Sequence, residues 1–306
     1  MFFTGIDIGG TTVKSCIMND AGRIVYQSTI GTVKGDPETL ARNIVLSLSG
    51  FRSPISAIGI SCAGRVNTLT HMITAANLQW RNVPFELIME NIAGCPVAAD
   101  NDVSGALRSE SRVGVCVGET DVLYVSLGTG IGGAVLINGE SYRGYDNTGI
   151  EIGHIITHAD GLPCTCGGRG CFEQYASSTA LKMRSGVPTR EVFRQVRAGN
   201  PEMTHILDNY VHELCIGLAG LIRVFSPHMV VLGGGIGSAG EILLTRVRRE
   251  LSENCASIPY EPLPIIESAK LGNTAGSVGG CFLAGDLMGV PIQVNGELEI
   301  RKKPEF

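Results

Sequence analysis

Short apolar runs broken by polar ends open the chain. Phe2 to Ile8 stops at Gly9-Gly10 and predicts a strand; Thr11 to Met18, with β-branched Val13 and Ile17, predicts a second. Asn19-Asp20-Ala21-Gly22 then turns the chain into a third strand, Arg23 to Thr29. A helix follows, because Asp36-Pro37-Glu38 supplies a cap and a first-turn proline ahead of Leu40, Ile44 and Leu48 on one face. Ile55 to Ser61 and Cys95 to Ala99 are apolar strands whose ends carry Cys62-Ala63-Gly64-Arg65 and Asp100-Asn101-Asp102. Open α/β sheets keep their sites at such strand ends.

The pattern restarts at Val122. Val122 to Leu127 reads as a strand, Gly128 to Gly133 as a glycine turn, Ala134 to Ile137 as a strand and Asn138-Gly139 as a hairpin turn. Val211, Leu214, Cys215, Leu218, Ile222 and Phe225 recur at helical spacing over Asp208 to Phe225, ahead of strand Met229 to Leu232 and the turn Gly233 to Gly237. Small residues from Thr274 to Gly285 predict a last helix. Strand, glycine turn, strand thus occurs twice, which predicts an α/β chain of two lobes with a cleft between them. The expected boundaries are a small lobe over 1–118 with the C-terminal helix, 274–289, packed on it, a large lobe over 119–273, and a disordered polar tail over 290–306.

Composition narrows the function. With 306 residues, 44% hydrophobic and 17% charged, the chain can form two cores, and disorder as its main state is excluded. A net charge of −5 without a Lys/Arg cluster argues against a nucleic-acid partner and leaves small molecules. No apolar run reaches the ~18 residues of a spanning helix, and Met1-Phe2-Phe3-Thr4 enters a strand without a basic leader, so the expected location is cytoplasmic, with no membrane partner. Ten cysteines in that setting read as buried thiols plus a metal site. The 41 glycines bunch at the predicted turns, where backbone must come close to something.

Gly128-x-Gly130-x-x-Gly133 and Gly235-x-Gly237-x-x-Gly240 both satisfy the dinucleotide fingerprint, with Glu151 at about the distance of a ribose acid from the first. A strand and not a helix follows Gly133, however, and no Walker loop occurs. What remains is a turn that can approach phosphate with bare amides, helped by hydroxyls of Thr11, Thr12 and Thr129 and the charge of Lys14, while Asp7 is suited to hold Mg²⁺ directly or through water. Plain tight turns are the alternative, weakened because two stand in matching places.

His154, Cys164, Cys166 and Cys171 offer one imidazole and three thiols, with Gly167, Gly168 and Gly170 letting the chain wrap a tetrahedral ion. Zinc suits that set, and four protein ligands leave no open position, so the metal is structural. Glu151 lies three residues before His154 and Glu173 two after Cys171, so a loop folded on zinc would fix both acids near one point, where paired carboxylates accept hydrogen bonds from sugar hydroxyls. Solvated surface acids are the plainer alternative, and Asn101-Asp102 reads either as a polar pair at a strand end or as a helix cap.

Together these stretches resemble the ROK family (repressors, open reading frames and kinases) of the actin-like, hexokinase-like ATPase superfamily, from about Thr4 to Gly285. Asp7-Ile8-Gly9-Gly10-Thr11-Thr12 is similar to its first phosphate motif, Leu127 to Gly133 to its second, and Val231 to Gly237, with Gly233, Gly234 and Gly235, to its adenosine motif. Glu151-Ile152-Gly153-His154 and Cys164-x-Cys166-Gly167-x-x-Gly170-Cys171-x-Glu173 resemble its sugar and zinc signatures, and Asn101-Asp102 its Asn-Asp pair. The resemblance implies a two-lobed, ribonuclease H-like fold that uses ATP and Mg²⁺, with Asp102 as catalytic base. Gly64, Arg65, Asn101, Glu151, His154 and Glu173 would surround the sugar, His154 turning one ring nitrogen to zinc and the other to a sugar hydroxyl. The implied activity is transfer of the γ-phosphate of ATP to the 6-hydroxyl of a hexose, glucose first and N-acetylmannosamine second, by a homodimer.

Ser104 and Ile150 depart from the family's asparagine and small residue, and both would reshape the sugar pocket. Two other readings stay open. A sugar-sensing repressor of the same family carries a helix-turn-helix domain ahead of the first phosphate motif, where here Asp7 comes almost at once. A sugar binder without turnover is the other.

Overall fold

The computed structural model describes residues 1–254, 263–294 and 298. The chain divides into two compact units, one of Met1–Val117, Arg143–Gly149 and Asn273–Phe306, the other of Gly118–Tyr142 and Ile150–Gly272.

The first unit is built on a five-stranded sheet. β1 (Phe2–Ile8), β2 (Thr12–Asn19) and β3 (Ile24–Gly31) form an antiparallel meander, and β4 (Ala57–Cys62) lies parallel beside β1. A small antiparallel sheet of β5 (Arg65–Asn67), β6 (Met72–Ala75) and β7 (Trp80–Val83) interrupts the chain before β8 (Val97–Asn101) completes the order β3-β2-β1-β4-β8. Residues alternate between faces along each strand, as the two-residue period requires. Ile6, Ile8, Val13 and Ile17 therefore meet α1 (Pro37–Ser47) and α2 (Phe85–Ala93) through Leu40, Ile44, Phe85 and Met89, while Phe3, Cys16 and Met18 face the other way. Asp36 caps α1 by accepting from the Thr39 amide, and α3 (Asp102–Val113) follows β8 without a loop.

In the second unit β9 (Val122–Leu127), β10 (Ile131–Ile137) and β11 (Glu140–Tyr142) are antiparallel neighbours, with β12 (Met229–Gly233) and β13 (Ile265–Ser268) parallel on the far side of β9. Gly132 and Gly133 lie inside β10, a strand where the dinucleotide fingerprint needs a helix. The helices are α4 (Glu173–Ala176), α5 (Ser178–Ser185), α6 (Thr189–Arg197), α7 (Pro201–Phe225), α8 (Gly234–Gly237) and α9 (Glu241–Asn254). α7 starts well before the expected Asp208, because Asn200 accepts from the Glu202 and Met203 amides and Pro201 occupies the first helical position. Its buried stripe of Leu207, Val211, Leu214 and Leu218 packs in the core with Leu123, Val125 and Leu232. The expected turn at Gly233 to Gly237 contains α8, a single helical turn.

α10 (Ala275–Leu287) returns to the first unit and covers the face left by Phe3, Cys16 and Met18. It comes down onto backbone: a Cβ on Gly5 would lie 1.7 Å from the Ser277 carbonyl oxygen, and one on Gly59 2.0 Å from that of Gly280. Only residues without a side chain permit that approach.

Two expected boundaries shift. Arg143–Gly149, assigned from sequence to the large lobe, belongs to the first unit, to which polar side chains tie it. Of the tail expected to be disordered, residues 290–294 pack on the first unit: Ile292 is buried, the Gln293 amide donates to the Asp20 carbonyl, and Val294 lies against Gly22. Residues 295–297 and 299–306 lie outside the described residues. Among the described residues no helix is long and apolar enough to cross a membrane.

Candidate active site

Polar residues of the first unit gather at the carboxyl ends of three parallel strands. Asp7 is in register with Ser61 and Ser61 with Asp100, so β1, β4 and β8 end level with one another. Asn101, and not Asp102, caps α3: its Oδ1 accepts from the Val103 and Ser104 amides, and its Nδ2 donates to the Gly64 carbonyl at 2.9 Å. One side chain thus joins the turn ahead of Arg65, which is exposed at the start of β5, to the start of α3. Asp102 occupies the first position of α3, where burial pushes its carboxyl above the usual range against the Val103 amide, which holds it down.

Asp7 lies across the β1–β2 pair from Lys14. Burial pushes its carboxyl up to about 6, Lys14 opposes the rise and the charge of Asp102 adds to it. Lys14 Nζ donates to the Asn273 carbonyl ahead of α10, and a Cβ on Gly276 would lie 2.7 Å from Asp7 Cγ. In the turn between β1 and β2 the Gly9 amide donates to the Thr12 carbonyl, while Thr32 donates its hydroxyl to Gly9 and its amide to Thr11. Those carbonyls are held, and the Thr11 and Thr12 side chains stay exposed beside Gly10.

The second unit repeats the device. Ser126 pairs with Gly233, so the turn Gly128-Thr129-Gly130 and the segment Gly234-Gly235 leave the ends of adjacent parallel strands. The Gly128, Thr129 and Gly130 carbonyls accept from the Ser178 amide, the Thr179 hydroxyl and the Gly128 amide. Peptide amides of a turn whose carbonyls are engaged attract anions. Gly234, at φ +75°, would place a Cβ 2.6 Å from the Leu127 carbonyl oxygen, so glycine is required where α8 meets β9.

His154, Cys164, Cys166 and Cys171 bring four ligand atoms within 4.8 Å of one another. A tetrahedral zinc with Zn–S of ~2.3 Å spaces its sulfurs ~3.8 Å apart. Cys166 and Cys171 Sγ stand 3.6 Å apart, and Cys164 Sγ lies 3.7 Å from His154 Nδ1, so the residues fit that ion, with Nδ1 as the ligating nitrogen. Crowding supports a cation: burial and the neighbouring sulfurs push the Cys171 thiol up to about 12, while the Gly168 amide draws that of Cys166 down. Glu173 opens α4 with Oε1 3.3 Å from Cys164 Sγ, and a Cβ on Gly130 would meet its Oε2 at 2.4 Å. The ligand cluster, Glu173 and the glycine turn therefore share one place. Glu151 is exposed, three residues before His154, whose amide donates to the Glu151 carbonyl.

The sequence matches the model of the ROK family over residues 3–286. The chain belongs to the ROK family. It is similar to the glucokinase of Streptomyces coelicolor, 34% identical over 92% of this chain and 96% of that one. The crystal structure of a ROK family glucokinase from Streptomyces griseus in complex with glucose and AMPPNP is 29% identical, with a TM-score of 0.82 over 94% of this chain and all of that one. The xylose repressor of Bacillus subtilis is 26% identical over 91% of this chain but only 75% of its own length. The fold of this ROK chain is the actin-like ATPase fold of the family's sugar kinases.

The predicted residues of this ROK protein fall into two sets. Asp7 to Lys14, Gly64, Arg65, Asn101 and Asp102 lie in the first unit; Gly128 to Gly130, Gly233 to Gly235, Glu151, Glu173 and the metal ligands lie in the second. Sequence reasoning missed Arg143, Asp146 and Asn147, which carry no periodicity, and Asn77, whose side chain lies against Gly10. It also missed the conformation of Ile150, at φ +62° immediately before Glu151. A β-branched residue there is strained, and such strain gathers at functional sites.

Proposed function

We propose that this ROK protein is an ATP-dependent hexokinase that transfers the γ-phosphate to the 6-hydroxyl of a hexose, with glucose as its preferred substrate. The observation that carries the reading is Asp102: a half-buried carboxylate at the first position of α3, beside an asparagine that also holds the Gly64 turn. A base in that position takes the hydroxyl proton as the oxygen attacks phosphorus, and burial raises its proton affinity toward the working pH. The transition state of phosphoryl transfer is loose, so positioning matters more than covalent chemistry.

The glycine turns following β1 and β9, with Gly234 and Gly235, supply amides and the hydroxyls of Thr11, Thr12 and Thr129 to the phosphates, and Lys14 adds a charge. Asn101, Gly64, Arg65, Glu151, His154 Nε2 and Glu173 are assigned to the sugar hydroxyls. Asp7, an oxygen donor with too little positive charge around it, would hold Mg²⁺ directly or through water. When bound, that ion neutralises charge on the β- and γ-phosphates. Zinc on His154, Cys164, Cys166 and Cys171 would fix the loop that carries Glu173.

Purified protein mixed with ATP, Mg²⁺ and a panel of hexoses that includes N-acetylmannosamine should release ADP fastest with glucose. A higher kcat/KM for N-acetylmannosamine would replace the substrate. Silence across the panel would replace the enzyme with a sugar binder.

A further inference from the structure

Asp100 lies two residues before the proposed base in the chain and is fully buried. Both of its oxygens are occupied. Oδ1 accepts from the Asn101 amide at 2.9 Å and from Asn147 Nδ2 at 3.0 Å, while Oδ2 accepts from Arg108 Nη2 at 2.7 Å and Arg143 Nη2 at 3.1 Å. Asn147 Nδ2 also donates to the Val66 carbonyl, one residue beyond Arg65. Its neighbour Asp146 accepts from Asn67 Nδ2 through its carboxylate and from the Thr68 amide through its carbonyl.

The strap 143–149 thereby grips two stretches assigned to the sugar: β5, which begins at Arg65, and the end of β8, which leads into Asn101 and Asp102. The same strap ends two residues before Glu151 in the chain. The anchors just named are directional bonds, several of them charge-assisted, and such bonds fix geometry as well as energy. Arg143 is the exchangeable member, because its side chain is 33% exposed whereas that of Arg108 is 10% exposed.

We infer that Asp100, Arg143 and Asn147 are positioning residues of the sugar site. They touch no substrate; they hold Gly64-Arg65 and Asn101-Asp102 in one arrangement, so that the sugar hydroxyls meet both at once. The inference rests on the kinase reading and adds to it the residues that set sugar affinity from outside the pocket. Displacements of the order of 1 Å in such supports reduce catalysis by up to ~10²-fold.

The test is steady-state kinetics of the wild type, Arg143→Ala, Arg143→Lys and Asn147→Ala with glucose and ATP varied in turn, together with thermal midpoints. Arg143→Ala and Asn147→Ala should raise the glucose KM about tenfold while the ATP KM stays within about twofold, and Arg143→Lys should recover part of the loss, since it keeps the charge on Asp100 but not the fork. An unmoved glucose KM overturns the inference. So does a fall in kcat and thermal midpoint with both KM values unchanged, which is the signature of a merely structural role. A wild type inactive on every hexose would remove the kinase reading itself, and this inference with it; an active wild type with unmoved variants removes this inference alone.

Discussion

Replacing Asp7 with asparagine should stabilise the magnesium-free protein at neutral pH while stopping turnover. The folded-state pKa of Asp7 rises from 3.8 to about 6, mainly through burial. Because the folded value lies above the unfolded one, the neutral acid is the form the fold prefers. The penalty for ionising it is absent below 3.8, grows between 3.8 and about 6, and is complete above that. At ~1.4 kcal/mol per pH unit, the gap amounts to about 3 kcal/mol. That is an upper value, since Lys14 loses its neighbouring charge in the variant. Urea unfolding of Asp7→Asn and wild type from pH 4 to 8, without magnesium, should give curves that nearly coincide at pH 4 and separate in favour of the variant by pH 7. Adding Mg²⁺ with ADP should narrow the separation, because the ion favours the carboxylate. A difference that stays constant between pH 4 and 7, or a variant less stable at pH 7, would refute the burial argument.

Asp102→Asn should lower kcat by ~10²–10⁴-fold while calorimetry still detects glucose binding, and a wild-type rate would remove Asp102 from the role of base. In the wild type, kcat/KM should fall on acidification with a midpoint above the ordinary carboxylate range, the direction in which burial moves Asp102; a midpoint at or below that range counts against it. Cys166→Ala should lose its zinc in metal analysis and bind glucose more weakly through His154 and Glu173; unchanged metal content contradicts the ligand assignment. Gly5→Ala, whose methyl would stand 1.7 Å from the Ser277 carbonyl oxygen, should lower stability by at least ~1–3 kcal/mol in thermal or urea melts. Equal stability would mean that α10 is not seated as described.

What the sequence made legible is local. Phe2 to Ile8 and Val122 to Leu127 announce themselves because apolar runs stop at glycine, and Asp36-Pro37 marks a helix start through a bond only three residues long. The candidate metal ligands share this property, the three cysteines lying within the stretch Cys164 to Cys171. The first turns of α7 are hidden from periodicity because Thr204, His205 and Asp208 dilute its apolar stripe, and only Asn200-Pro201 marks its start. The β5–β7 sheet is built from strands of three and four residues, too short to show a period. Arg143 and Asn147 have meaning only through Asp100, more than forty residues earlier.

The abundance of glycine and the raised pKa of Asp7 are linked through one helix. Gly5 and Gly59 let α10 descend onto β1 and β4 until carbonyl oxygens of the helix occupy the space of two missing methyl groups. With the helix at that depth, its second residue, Gly276, reaches Asp7, and the carboxyl loses water that a higher helix would leave in place. Composition alone shows only that glycine is plentiful, and no periodicity assigns each glycine the backbone it admits. A side chain at Gly5 or Gly59 should lift α10, rehydrate Asp7 and return its pKa toward 3.8, so packing beyond the β1–β2 turn sets the affinity of this carboxylate for protons.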